Sequence, residues 1–462
     1  MSLESNLLSE NPKAEATLAV TSAGAVLVMI VFSLPVTTLV GTATALVATQ
    51  GEQSWILSAM STGAAAGLLT AGSLGDNYGR SRIFLHGLYF LAASSLLAAV
   101  ASTASILVIA RLLQGVGAAA VMACSLGLVG QVFPGGAART RATGIWAAAF
   151  GAGVTIGPIL AAGLEMIWDW RASYWLCASL SVVLAFVGKK LLPDSIPSHK
   201  RELDFPGAIT LALGVGCFLG ELTEGRMGWH RSTVYLYLAI ATILLVSFVI
   251  IEQRSSNPMI TPRLFREPGF AAATLAAFSA GAGVLGLLTL IPTLLQTIYG
   301  TTPFVSSLIL QVWSATTVVA AYGVRWLPQR WQPQQMLVWG LVGCGAGQLA
   351  LLGLNHESAL IQVFPGLFIA GAANGVLNAA LGRRAIETVA PSQSAIGSGA
   401  NNTSRYIGSS LGLTLVSTLL AQGQNQAGPS GMLAGWDRAV WITTAFSWLG
   451  ALLVHRIQRP EK

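Results

Sequence analysis

Long apolar stretches alternate with short polar gaps along nearly the whole chain. Fourteen are legible, at roughly 17–43, 54–73, 83–101, 105–130, 142–164, 172–192, 205–222, 233–251, 269–294, 304–326, 334–354, 358–381, 396–421 and 438–457. Each approaches the ~20 residues that a helix needs to cross the hydrocarbon core of a bilayer. They are rich in Leu, Ala and Gly and unbroken, whereas barrel strands would alternate over about 10 residues. The pattern predicts an all-α polytopic membrane protein with 14 transmembrane helices. Gap lengths group the spans. Residues 1–192 carry six, a linker region at 193–268 encloses a two-helix hairpin, and residues 269–462 carry six more. Two six-helix bundles plus an inserted hairpin are the expected architecture.

Composition agrees. Charged residues are 9% of the 462 and apolar residues 53%, with mean hydropathy +0.66, against about 25% charge in a soluble domain. Of 25 Lys and Arg, nineteen fall in alternate gaps, among them Lys13, Arg80, Arg82, Lys189, Lys190, Lys200, Arg201, Arg383 and Arg384. The opposite gaps hold Arg171, Arg226, Arg231 and Arg438, and two more, Arg111 and Arg405, lie within spans. The cation-rich side is the cytoplasmic one, which puts both termini in the cytoplasm. The net charge of +7 points to topology and not to nucleic acid, because the cations are spread over short loops. Glu4, Glu10, Lys13 and Glu15 precede an apolar run too long for a cleavable signal peptide. Cys124, Cys177, Cys217 and Cys344 sit in apolar spans without metal-ligand spacing and read as small core residues; no metal is expected.

Three local patterns carry chemistry. The gap after the second span reads Gly72-Ser-Leu-Gly-Asp76-Asn-Tyr-Gly79-Arg80-Ser-Arg82. It is either a cytoplasmic latch, with Asp76 pairing Arg80, Arg82 or a helix N-terminus, or a solvated turn with two topology-setting arginines. The fourth span contains Arg111-Leu-Leu-Gln114-Gly115-Val-Gly117. An intramembrane Arg costs about 2.5–3.5 kcal/mol even on a lenient insertion scale. Arg111 therefore faces a polar interior or snorkels to the outer interface, with Gln114 one turn along. The fifth span reads Gly151-Ala-Gly153-Val-Thr-Ile-Gly157-Pro158, a packing groove of small residues with a proline kink.

In this order these three patterns resemble the major facilitator superfamily: its signature loop, its fourth-span motif and the antiporter signature of its exporters, with Ala161-Ala162 where Gly-Gly is usual. Four further stretches are similar to the fourteen-helix drug:proton antiporters. They are Asp204-Phe-Pro-Gly207, Glu252-x-Arg254 with Pro258, Arg263-Leu-Phe265-Arg266, and the run from Gly397 to Gly412 that contains Asn401, Asn402 and Arg405. The resemblance implies secondary-active export of small molecules by alternating access in a bacterial inner membrane. It also implies a monomer surrounded by lipid, with a proton gradient as energy source and no cofactor. One departure stands out. Where that branch commonly carries an Asp in its first span, this chain has Val36.

None of the 18 Asp and Glu lies at mid-membrane; Glu165, Glu221 and Glu387 come no nearer than span ends. A dicationic substrate would need a buried counter-charge, so the expected substrate is neutral, zwitterionic or anionic. Candidate cavity residues are Arg111, Gln114, Thr38, Thr42, Gln296, Gln311, Asn374, Asn378, Asn401, Asn402 and Arg405; each amide serves equally as an interhelical bond. Asp76, Glu221 and His86 are the candidate proton sites, and Trp146, Trp313 and Tyr322 read as lipid-facing or belt residues, with pocket lining as the alternative. The competing readings are an exporter or facilitator of a sugar or organic acid, and a membrane-embedded enzyme. Against the enzyme, no HExxH or nucleophile elbow is present, and the lack of a P-loop argues against a primary pump.

Overall fold

The computed structural model describes residues 12–133, 136–193, 205–225, 231–255, 264, 266–326, 331–356, 360–387 and 394–457. Pro197, Lys200, Arg201, Asp204, Arg226, Pro258, Arg263, Phe265 and Arg330, used above to read linkers, charge and resemblance, lie outside the described residues, as do Glu4 and Glu10.

Helices occupy every predicted span. They are α1 (Pro12–Ala45), α2 (Gln50–Tyr78), α3 (Arg80–Ala99), α4 (Ala104–Val132), α5 (Gly136–Ile167), α6 (Arg171–Leu191), α7 (Phe205–Gly225) and α8 (Ser232–Arg254). They continue as α9 (Pro268–Tyr299), α10 (Pro303–Gly323), α11 (Pro333–Leu349) and α12 (Val363–Glu387). A helical run over Ser394–Ile457 breaks at Ala427 (φ −144°) and Gly428 (φ 60°), giving α13 (394–426) and α14 (429–457). Among the described residues, ten helices are long and apolar enough to cross a bilayer, counting Ser394–Ile457 once, and α2 makes an eleventh if its 46° bend is spanned. The apolar part of α7, Ile209–Leu222, and the 17-residue α11 are shorter.

Local chemistry sets the boundaries. Thr49 caps α2 and Glu52 returns the bond to the Thr49 N–H, a reciprocal cap. Thr103 and Thr302 cap α4 and α10. Two elements differ from the sequence reading. The ninth span is not one regular helix: it contains a π-turn at Gly281–Leu285 and a break before Pro292, whose ring has no N–H to continue the ladder. The last two helices extend through the polar residues 422–437, predicted as a gap. That hairpin is tied down by Trp436 Nε1 donating to the Leu351 carbonyl (3.0 Å) and the Gly353 N–H donating to Asp437 Oδ1 (3.0 Å).

Packing repeats along the chain. Among the first six helices, α2 and α3 pack on α4, α1 on α5 and α3 on α6; among the last six, α10 and α11 pack on α12, α9 on α13 and α11 on α14. One hydrophobic core is drawn from residues 20–192 and another from residues 272–457. Helices α7 and α8 pack on each other, and Val215, Leu219 and Leu222 of α7 join Ala64 and Leu68 of α2 and Tyr406 of α13 in a smaller cluster. Trp55 Nε1 fixes α2 to α7 by donating to Glu224 Oε1 (2.9 Å), while Arg231 approaches Glu224 Oε2 at 3.9 Å.

Candidate functional site

In the first half the polar centre is Arg111, fully buried. Pro35 of α1 has no N–H, so the Val31 carbonyl four residues back lacks its helical donor. Arg111 supplies it: Nη1 donates to Val31 O (2.6 Å) and Nη2 to Phe32 O (3.0 Å). Nε donates to Ile56 O of α2 (3.3 Å), and Nη1 also reaches Gln114 Oε1 (3.0 Å). Gln114 Nε2 in turn donates to Ser95 Oγ of α3 (3.0 Å). Arg111 and Gln114 together therefore join four helices inside one half, with no snorkelling geometry in this conformation.

At the loop after the second span, α2 ends and α3 begins on the single residue Gly79, at φ 102°, ψ 122°, a region closed to residues with a Cβ. Asp76 and Arg80 form an exposed ion pair at 2.7 Å, and Arg80 Nη1 continues to Gly127 O of α4 at 2.8 Å. A Cβ on Gly127 would lie 2.6 Å from that guanidinium, so the arginine rests in a notch that only glycine leaves open. Gly72 is half-buried and Arg82 exposed. The pairing seen here stays within the first half.

Gly153 and Gly157 lie where α5 crosses α1. A Cβ on Gly153 would meet the Val26 carbonyl oxygen at 2.5 Å, and one on Gly157 would overlap Ser33 Oγ. The Pro158 carbonyl accepts from Thr37 Oγ1 of α1 (3.1 Å). The same device recurs, unpredicted, where α13 crosses α9: Cβ atoms on Gly408 and Gly412 would overlap the carbonyl oxygens of Phe278 and Ala282. Both crossings use glycines four residues apart, the small-xxx-small spacing that lets helices touch in lipid.

The halves meet along a seam. Gln296 Nε2 of α9 donates to the Thr37 carbonyl of α1 (3.0 Å) and to Ser306 Oγ of α10 (2.9 Å). Phe32 of α1 and Tyr406 of α13 place ring centroids 6.1 Å apart. Arg405 of α13 sets its Cζ 5.9 Å from the Phe150 ring of α5. Arg405 Nη2 donates to Asn402 Oδ1 (2.8 Å) and Nη1 to Asn378 Oδ1 of α12 (3.5 Å). Asn374 is buried and donates to Thr317 Oγ1 of α10 (3.4 Å). An apolar cleft beside Phe32 and Tyr406, narrowed to ≈ 10 Å³ in this conformation, is lined by Met29, Met60 and Met122.

Arg405, Asn378, Asn402 and Gln296 are thus at or beside the seam. Asn401 is buried one turn before Arg405. Thr38 bonds its own helix at Leu34 O, Thr42 is buried in α1, and Gln311 pairs locally with Ser307 O and Ser314 Oγ. Trp146 and Trp313 are not belt residues: both are buried, Trp146 against Phe150, whereas Tyr322 is exposed. Phe150 was missed because a phenylalanine in an apolar span carries no signal of its own. Asp76 and His86 are exposed, and Glu221 is buried with Oε2 unbonded. Glu165, noticed only as an acid near a span end, packs its carboxyl against Gly41 of α1 and leaves Oε2 buried and unbonded.

Two helical halves, each with its own core, meeting across polar and aromatic side chains inside a membrane define a transporter architecture. The chain belongs to the Major Facilitator Superfamily, whose family model matches residues 21–413. It is similar to the multidrug resistance protein Stp of Mycobacterium tuberculosis, 30% identical over 79% of this chain and 68% of that protein. It is also similar to the multidrug efflux pump LfrA of Mycolicibacterium smegmatis, 28% identical over 79% and 73%. A crystal structure of the peptide transporter POT in complex with sulfate superposes with TM-score 0.70 at 16% identity, covering 96% of this chain and 95% of that one, which speaks to the fold alone. The chain is therefore a multi-pass membrane transporter and not an enzyme.

Proposed function

We propose that this protein exports small molecules from the cytoplasm by proton antiport, through alternating access at the seam between two six-helix bundles. Residues 1–192 and 269–462 form the bundles, α7 and α8 an inserted hairpin, and all fourteen helices cross the bilayer with both termini cytoplasmic and the chain acting as a monomer. The observation that carries the reading is the seam, where Gln296 meets α1 and Arg405 and Tyr406 meet aromatic rings of α5 and α1. Drug export is supported by relatives named for multidrug resistance and efflux and by the methionine-lined cleft, since thioether side chains adapt to varied apolar partners. With no acid at mid-span, the substrate is neutral, zwitterionic or anionic. Protons act through the buried carboxyls of Glu165 and Glu221, near the ends of α5 and α7.

Flux into proteoliposomes tests this directly. Puromycin and ethidium, alongside uncharged and anionic dyes, are offered with and without an imposed pH gradient. Uptake that follows the gradient and favours the uncharged and anionic dyes is expected. Flux indifferent to the gradient would remove antiport, and a preference for ethidium would remove the substrate class.

A further inference from the structure

The two intramembrane arginines are solvated differently. Every nitrogen of Arg111 donates to an acceptor within 3.3 Å. Arg405 is under-coordinated: one of its two amide contacts stretches to 3.5 Å, and its Nε is buried with no acceptor. One turn earlier on α13, Asn401 Nδ2 is also buried with no acceptor. Among the described residues no carboxylate pairs with Arg405. The unmet groups of these two residues are thus donors, beside a fixed positive charge, at the junction of the halves. Such a charge is costly in an apolar setting unless an acceptor with negative charge completes it. An oxyanion head does so with charge-assisted bonds. The surroundings specify the rest of the ligand: the Phe150 ring faces the guanidinium, and the next residue, Tyr406, lines the apolar cleft with Phe32.

We propose that Arg405 and Asn401 anchor the head group of an amphipathic organic anion, a carboxylate or sulfonate on an apolar aromatic body. The proposal rests on the transporter reading and narrows its substrate class. In this site Arg405 Nε and Asn401 Nδ2 donate to the anion, Asn402 and Asn378 hold the guanidinium in place, and the aromatic body lies toward Tyr406 and Phe32.

The test uses the purified full-length protein and a matched pair of probes, sodium 2-naphthoate and uncharged 2-naphthamide, by isothermal titration. Saturable naphthoate binding is expected in the wild type. Arg405→Gln should weaken it at least about tenfold, with Arg405→Lys intermediate, while 2-naphthamide affinity stays within about twofold. Asn401→Ala, which keeps the charge, should weaken naphthoate several-fold and serves if Arg405→Gln does not fold. Equal naphthoate affinity in wild type and in monodisperse variants would overturn the site. So would an absence of saturable naphthoate heat in the wild type up to about 1 mM. Binding with no naphthoate flux in proteoliposomes would sink the transport reading and leave the anchor. Flux of uncharged dyes with no naphthoate binding would do the reverse.

Discussion

At the scale of single residues, Arg111 is held by the backbone more than by any side chain. Its acceptors include three carbonyls on two other helices, one of them left open by Pro35. Removing it leaves the Val31 carbonyl and Gln114 Oε1 without their donor and takes a second bond from the Phe32 and Ile56 carbonyls. Arg111→Ala should therefore destabilise the purified protein by at least about 3 kcal/mol and abolish transport. Arg111→Lys, with three donors on one nitrogen that cannot span the same acceptors, should recover only part of both. Thermal unfolding in detergent read beside flux checks this; an Arg111→Ala protein that melts like the wild type would remove the role. Asp76 is the opposite case. Its pair with Arg80 is exposed, and such pairs are worth at most about 1 kcal/mol. Asp76→Ala should leave expression and melting temperature unchanged and lower the transport rate; unaltered flux would leave the loop a solvated turn. The sequence exposed Arg111 and Asp76 because a charge in or beside an apolar run is conspicuous. It hid Pro35 and Gly127, whose parts are to leave a carbonyl open and a surface empty.

At the scale of elements, hydropathy located the helices well because burial in lipid is a local property of some 20 residues. It failed where the chain departs from a regular helix. The π-turn at Gly281–Leu285 and the break before Pro292 lie in a run as apolar as its neighbours, and 422–437 is helical on both sides of the break at Ala427 and Gly428 despite being polar. The two glycine crossings likewise show their kinship only in three dimensions, since little besides the spacing of Gly153 with Gly157 and Gly408 with Gly412 is shared. They differ in what an added methyl would strike. On Gly157 the overlap is with the Ser33 hydroxyl, which can rotate away, and the Ile30 backbone comes no nearer than 3.1 Å; on Gly408 the overlap is with the Phe278 carbonyl, which cannot rotate away. Overpacking of this kind typically costs about 1–3 kcal/mol. Gly408→Ala should sit at the upper end of that range and Gly157→Ala near its lower end, read as melting temperature in detergent. Equal shifts would mean that α9 moves as freely as the Ser33 side chain.

At the scale of the whole molecule, the seam was the least legible part of the sequence, because each of its contacts joins residues far apart in the chain. Gln296 lies 259 residues from Thr37, and neither is distinguished by its local pattern. Only their juxtaposition shows that this hydrogen bond ties α9 to α1. Val36, beside it, and Leu57 of α2 pack against the core of the second half, so closure there rests on one polar bond and a small apolar contact. Loss of a hydrogen bond worth about 1 kcal/mol shifts a two-state equilibrium about fivefold. Gln296→Ala should therefore open this end of the seam by that factor. The measurement is the rate at which a membrane-impermeant maleimide, added from outside, labels Val36→Cys. Cys217, the native thiol that is not fully buried, is replaced by Ser to silence the background. A rise of about fivefold in labelling rate with Gln296→Ala is expected if the bond opposes opening. An unchanged rate would assign closure to the apolar contacts of Val36 and Leu57, and mutations there would then have to produce the shift that Gln296→Ala did not.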